Sequence, residues 1–477
     1  MIRCIFNRIG VGWAFAVVAI GIAYGEEAEE KELPNIMLVV IDSLRYDHLG
    51  CYSYERDNTP FIDQMAAEGV LFERAYSTSS WTTPSVMSMF TSVLPRMHTL
   101  ISMSNRLPED CTTLATELRK LGYATIGVSV NPCGAGHLGF DRGFDLFDDY
   151  SVLLDIQLNV FDVMGIEQRK SLHETTTSAQ LTDLALAHLR KVPEGKPWFL
   201  FLFYFDPHAD YVPPRRYVEM FDPDYAGDAT GKVVGKEYTY VFENPRDLEH
   251  VKALYDGEIR FTDDQFRRFA AAAADEGLLG DNLLTLIVSD HGEEFNDHGG
   301  IQHGRTLYEE VVRVPMIMHW PRVLPAGRRV KQPVQLIDIM PTLLSALKAD
   351  VPEQCFGANL LPVISGESFL VRPLGLHVKS VGHKASVMNL PYKAILDLPE
   401  ERVSMYDLKN DPLERDFLHP DAIGESAEAS DLVKRLAEWN NAMELQYRRR
   451  TEIAGDDEKP QLTPQQIEAL RSMGYLH

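Results

Sequence analysis

The stretch Ser289-Asp-His-Gly-Glu-Glu-Phe-Asn-Asp-His298 sets an unusual density of ligand-type side chains directly after the apolar run Leu283–Val288. Asp42 stands in the same way at the end of a second apolar run, Asn35–Ile41. Carboxylates and an imidazole at converging strand ends make a mixed oxygen and nitrogen site for a divalent cation. A single Asp after a strand ordinarily caps the turn that follows. For Asp42 alone that is the default reading. The Asp290–His291 pair with its glycine turn shifts the balance to metal binding.

A second segment, Ser80-Trp-Thr-Thr-Pro-Ser-Val-Met-Ser-Met-Phe-Thr91, reads as a helix start. Pro84 suits the first helical turn, and Thr82 or Thr83 suits the cap. The same geometry sets a hydroxyl beside free backbone N–H groups, where a tetrahedral anion is stabilised. A threonine hydroxyl becomes a useful nucleophile only when a metal or base lowers its pKa. On this segment alone, capping is the default.

The elements that must position these groups alternate along the chain. Asn35–Ile41 is a continuous β-branched run of the kind buried in a parallel sheet. The sequence predicts a helix from Thr59-Pro60 to Gly69, a short strand at Val70–Phe72, and a helix from Cys111 to Leu121. Strands are expected at Ala124–Val130, Trp198–Phe205 and Leu283–Val288, with a helical patch at Ala270–Ala274. This pattern indicates an α/β fold, a mostly parallel sheet sandwiched by helices. Ligands of such sheets bind at the carboxyl ends of the strands. Near residue 350 the chemistry-bearing motifs cease and strand-like pieces such as Lys393-Ala-Ile-Leu396 appear. The expected organisation is a catalytic α/β domain at 34–350, a smaller C-terminal α+β subdomain at 351–420, and a helical tail at 421–477.

The 477 residues carry 70 acidic and 46 basic side chains, a formal net charge of −24. Such a surface repels nucleic acid, and none is expected as a partner. At the amino terminus, Arg3 and Arg8 precede the apolar run Ile9–Ala23, and Ala23-Tyr24-Gly25 offers small residues for cleavage. Residues 1–25 read as a signal peptide and 26–33 as an acidic linker. Export to a periplasmic or extracellular compartment follows, with membrane contact only if the segment is uncleaved. Its apolar run of about 15 residues is short for a span of about 20. Cys51, Cys111, Cys133 and Cys355 remain after cleavage; their spacing permits disulfides but dictates none.

Several of these motifs together resemble the sulfatase family of the alkaline phosphatase superfamily. Asn35–Asp42 through Leu49-Gly-Cys-Tyr52, Asn58-Thr-Pro60 and Ala67-Glu-Gly-Val-Leu-Phe72 are similar to that family's opening. Thr82-Thr-Pro-Ser-Val86 falls where the family has Cys-x-Pro-Ser-Arg, followed by matches at Thr91-Ser, Pro95 and His98. Asp206-Pro-His-Ala-Asp-Tyr-Val-Pro-Pro214, Ser289-Asp-His-Gly292, His303-Gly-Arg-Thr-Leu-Tyr-Glu-Glu310 and Arg313-Val-Pro315 extend the likeness. Gln335–Thr342, Met405–Pro412 and Leu470-Arg-Ser-Met-Gly-Tyr475 carry it into the last part of the chain. The resemblance implies an alkaline phosphatase-like fold and a hydrolase of sulfuric or phosphoric esters.

The departures are as informative. The family's cysteine, oxidised to formylglycine, is Thr82 here, so no formylglycine is expected. The arginine that helps hold it is Val86, the second amino-terminal Asp is Ser43, and the Asn after the later Asp is His291. A Lys and a His that meet the sulfate align with Val128 and Val130, within Gly127-Val-Ser-Val-Asn-Pro132. The lysine before Thr-Leu-Tyr is displaced, with His303 and Arg305 flanking Gly304.

What remains resembles the single-metal branch, the phosphonate monoester hydrolases and phosphoglycerol transferases. That resemblance implies one divalent cation, whether Ca, Mn or Zn, on Asp42, Thr82, Asp290 and His291. Thr82 is the implied nucleophile, and His208 either binds the transferred group or protonates the leaving oxygen. His303, Asn131 and Arg305 are the implied substrate-binding residues. The expected substrate is a small-molecule, glycan or lipid ester of sulfate, phosphate or phosphonate. The alternatives are a phosphoglycerol-type transferase, whose relatives usually carry several membrane spans, and an inactive binding protein that retains the fold.

Overall fold

A computed structural model describes residues 33–149, 151–152, 175–232, 244–367 and 372–454. The expected signal peptide, the linker up to residue 32, the Leu470–Tyr475 motif and the tail beyond 454 lie outside the described residues.

Eight strands form the central sheet: β1 (Asn35–Ile41), β2 (Val70–Phe72), β3 (Ala124–Ser129), β4 (Leu146–Asp148), β5 (Trp198–Tyr204), β6 (Leu283–Val288), β7 (Met316–His319) and β8 (Arg328–Val330). Their spatial order is β8-β2-β7-β6-β1-β5-β3-β4. The block from β6 to β4 is parallel throughout. β7 runs antiparallel to both of its neighbours, β6 and β2. The central strands β1, β5 and β6 are apolar at nearly every position, Asn35 and Thr285 excepted, because both of their faces are covered. Met37, Val39, Ile41, Leu200, Leu202 and Tyr204 point to one face and join the large core cluster there. On the other face Phe199 and Phe201 meet Phe144 and Phe90, with the Phe90 and Phe201 rings 4.8 Å apart.

Helices supply the two covers. α1 (Pro60–Glu68), α4 (Ser178–Leu189) and the long α5 (Pro245–Asp275) contribute to the first core, while α2 (Thr82–Thr91) brings Phe90 to the second. α3 spans Leu114–Lys120, three residues shorter at its start than the sequence predicts. The Thr113 hydroxyl accepts from the Thr116 amide at 3.2 Å and so fixes the start of the helix there. The expected Ala270–Ala274 patch is the end of α5, a helix of 31 residues capped by the Asn244 side chain. Strands β3 and β5 stop one residue earlier than expected, at Ser129 and Tyr204.

Beyond residue 372, β9 (Leu374–Lys379), β10 (His383–Asn389), β11 (Tyr392–Asp397) and β12 (Arg402–Asp407) form an antiparallel meander. Period-two alternation divides it into two buried faces. Ala385, Val387, Ala394 and Met405 pack on Ala429, Leu432 and Leu436 of α6 (Ala427–Ala454). Leu374, Leu376, Val378 and Ile395 pack on Tyr76, Trp81 and Leu307, so this small sheet braces the residue that precedes Thr82. Cys51, Cys111, Cys133 and Cys355 are all free thiols. No helix among the described residues is long and apolar enough to cross a membrane.

Candidate active site

Four neighbouring strands, β6-β1-β5-β3, deliver the predicted residues at their carboxyl ends. Asp42 follows β1 directly, Asn131 lies two residues past β3, His208 four past β5, and Asp290–His291 two and three past β6. Thr82 arrives separately, as the first residue of α2, with Trp81 at the cap position. Neither Thr82 nor Thr83 caps that helix, contrary to the default reading of the segment. Thr83 turns away and donates to the Cys133 carbonyl at 2.7 Å. Thr82 points inward, its Oγ1 3.3 Å from His291 Nε2 and 3.4 Å from Asn131 Nδ2.

The loop after β1 is bent to bring the two acids together. Ser43 sits in the left-handed region at φ 56°, a conformation that costs a serine about 1–3 kcal/mol. From there its amide donates to Asp290 Oδ1 at 3.2 Å and its hydroxyl to Asp42 Oδ1 at 3.0 Å. Tyr255 of α5 holds the turn by donating to the Ser43 carbonyl at 2.7 Å. Ser289 ties the two loops, accepting from the Leu44 amide at 2.9 Å and donating to the His291 carbonyl at 2.6 Å. Asn131 donates to Asp42 Oδ2, and its own Oδ1 accepts from the Cys133 amide at 2.7 Å.

The ligand atoms of Asp42, Asp290 and His291 lie within 4.8 Å of one another, and all three residues are fully buried. Burial pushes the Asp42 carboxyl well above the usual carboxylate range, and the charge of Asp290 pushes it further. Burial raises Asp290 as well, and the Ser43 and His291 amides that donate to it work the other way. Asp290 Oδ2 is buried with no hydrogen-bond partner. The Nδ1 of His291 lies 2.9 Å from the Gly292 carbonyl, which assigns the proton to Nδ1 and turns the Nε2 lone pair to the carboxylates. An orphaned carboxylate oxygen, a second buried carboxylate, a bare imidazole nitrogen and a hydroxyl fit a divalent cation. Asp42, Asp290, His291 and Thr82 are the residues that would hold it.

Two more histidines border the cluster. The His303 ring lies 4.2 Å from that of His291 and 4.9 Å from that of His208. His208 stacks on Phe205, and its Nδ1 is 2.9 Å from the Ala209 carbonyl. His303 Nδ1 is 3.0 Å from Glu293 Oε1, whose partner oxygen accepts from the Tyr211 hydroxyl at 3.0 Å. Burial pushes the Glu293 carboxyl up to about 7. Glu293 and Tyr211 carry no role in the sequence reading. The available signal was the short hairpin in which Glu294 pairs with Gln302 and Phe295 with Ile301, placing Glu293 opposite His303. Arg305 makes no hydrogen bond or ion pair with these residues among those described, and its Nε is buried without a partner. Its backbone instead packs against Gly382, in the turn between β9 and β10.

A mostly parallel sheet flanked by helices, with these acids at its strand ends and an antiparallel C-terminal subdomain, is the alkaline phosphatase-like fold. The sulfatase family model matches residues 34–349, and a model described as the C-terminal part of N-sulphoglucosamine sulphohydrolase matches 297–442. The chain belongs to the sulfatase family and is a hydrolase of that family. It is 30% identical over 383 residues to an arylsulfatase of Clostridium perfringens, covering 69% of this chain and 78% of that one. It is 25% identical over 404 residues to a multifunctional alkaline phosphatase superfamily protein of Trinickia caryophylli, covering 69% and 77%. In fold it is similar to a phosphonate monoester hydrolase of Agrobacterium radiobacter, with TM-score 0.69, 20% identity and coverage of 87% and 96%.

Proposed function

We propose that this enzyme hydrolyses esters of phosphate, phosphonate or sulfate through a covalent ester on Thr82, with phosphoryl chemistry favoured. One observation carries the reading: the hydroxyl of Thr82, and not a cysteine, lies against the Asp42–Asp290–His291 cluster. A bound divalent cation supplies Lewis-acid chemistry, lowering the Thr82 pKa and neutralising charge on the transferred group. The chain's own residues do the rest. Thr82 attacks from the start of α2, whose backbone N–H groups favour the anion. Asn131 orients Thr82 and Asp42 through its Nδ2. His208 assists departure of the leaving oxygen, and His303 faces the transferred group.

A formylglycine hydrate expels its sulfate by collapsing to the aldehyde. Thr82 must wait for water, and phosphoryl esters of simple alkoxides suit that second step better. The arylsulfatase likeness keeps sulfate esters in the reading, with small-molecule or glycan esters as the substrate class. A panel of p-nitrophenyl sulfate, phosphate, phosphodiester and phosphonate, run on wild-type and Thr82→Ala protein, tests it. Turnover of at least one ester that vanishes with Thr82 supports the reading. Undiminished turnover by Thr82→Ala contradicts it.

A further inference from the structure

The covalent reading leaves one requirement that neither Thr82 nor the strand-end acids meet. Water must attack the Thr82 ester, and a base must take the proton that water loses. Two histidines border the cluster, and they are backed differently. His208 Nδ1 is 2.9 Å from a backbone carbonyl, that of Ala209. His303 Nδ1 is 3.0 Å from the carboxylate of Glu293. A carboxylate behind an imidazole fixes its tautomer and stabilises the imidazolium formed when the far nitrogen takes a proton. A neutral carbonyl does the first but offers less of the second.

The placement of Glu293 is costly and multiply fixed. It is fully buried, and an isolated buried carboxylate is strongly disfavoured. Tyr211 donates to its second oxygen at 3.0 Å, and Arg45 donates to its backbone carbonyl at 3.0 Å. The Glu294–Phe295 and Ile301–Gln302 ladder holds it directly opposite His303. Ring contacts of 4.2 Å to His291 and 4.9 Å to His208 keep His303 beside the group that Thr82 carries.

We infer that Glu293 is a positioning residue that holds His303 as the base activating water in the second half of the reaction. This rests on the covalent Thr82 reading and deepens it. Water's oxygen bonds to phosphorus (or sulfur) while the bond from that atom to Thr82 Oγ1 breaks. The electron pair of the broken bond returns to Oγ1, which regains from solvent the proton it gave up when it attacked. The proton lost by water goes to His303 Nε2 and from there to solvent. No oxidant or further co-reactant is needed.

The test is rapid-quench kinetics on metal-loaded full-length protein with whichever p-nitrophenyl ester it turns over fastest, comparing wild type, Glu293→Gln and His303→Ala. The expected result for both variants is steady-state turnover about 100-fold lower, with a burst of one equivalent of p-nitrophenol at a rate within severalfold of wild type. The Thr82 ester, an adduct of about 80 Da, should then accumulate. Cation content should equal that of wild type. Added imidazole should restore steady-state turnover in His303→Ala. Tyr211→Phe, which keeps the ring and removes only the hydroxyl, should show a smaller effect of the same kind, and it serves if Glu293→Gln does not fold. A burst that falls in parallel with the steady state overturns the inference, as does unchanged turnover. If no Thr82 adduct forms in any variant and Thr82→Ala stays active, it is the covalent reading that fails.

Discussion

Thr82 and His291 lie 209 positions apart in the chain, yet the Thr82 hydroxyl comes within 3.3 Å of His291 Nε2. The two arrive by independent routes, one at the start of a helix and one beyond the end of a strand. Their meeting fixes which of two adjacent threonines belongs to the site.

That distinction is testable by single substitutions. Thr82→Ala should lower turnover by about 1,000-fold or more while the protein keeps its melting temperature. Thr82→Ser keeps the attacking oxygen and should retain substantial activity. Thr83→Ala loses the 2.7 Å bond to the Cys133 carbonyl and should cost about 1 kcal/mol of stability with little effect on turnover. The reverse pattern, with Thr83 the damaging position, would contradict the site described here.

The cation cluster predicts a stoichiometry. Elemental analysis of purified protein should find one divalent cation per chain, and Asp42→Ala or Asp290→Ala should lose cation and activity together. Titrating the chelated protein with the cation should raise its stability, by about 2.7 kcal/mol at a hundredfold excess over Kd. No thermal shift in wild type, or an active metal-free variant, would remove the metal from the mechanism.

A third expectation concerns pH and lies away from the active site. Asp263 of α5 accepts from the Phe61 and Ile62 amides at 3.0 and 2.9 Å, at the start of α1. Burial raises its pKa from 3.8 to about 7. Between those values the folded chain holds a proton that the unfolded chain has released. The contribution of Asp263 is therefore fully present below pH 3.8 and is lost as pH rises towards 7. Urea unfolding of wild type and Asp263→Asn across that window should diverge by up to about 1.4 kcal/mol per pH unit. Wild type should lose stability relative to the variant as pH rises; parallel curves would show that Asp263 does not titrate there.

The legible parts of this molecule are those where burial leaves a mark on consecutive residues. β1, β5 and β6 are apolar but for Asn35 and Thr285 because helices cover both faces, so their ends, and with them Asp42 and Asp290–His291, can be read directly. Asp42 gains meaning only from its partner, since a lone Asp after a strand is common. α5 escaped the sequence reading apart from its alanine-rich end, because its buried side includes His250, Asp256, Glu258 and Asp263. Those residues break the apolar stripe that marks a helix. Yet Tyr255 on that helix holds Ser43 in place. The Glu293–His303 pair is a tertiary feature: they lie ten positions apart, and only the hairpin register sets them face to face. Arg305 is legible only as a charged residue in a motif, because its backbone packs against Gly382 in the β9–β10 turn, a tertiary contact that no local pattern announces.

The central claim is that Thr82 itself carries the transferred group, and intact mass with peptide mapping of protein quenched during turnover tests it most directly. The expected result is an adduct of about 80 Da on the peptide that contains Thr82, present only with substrate, and absent from Thr82→Ala. An active enzyme that shows no adduct under any quench condition, or an adduct mapped to another residue, would contradict it.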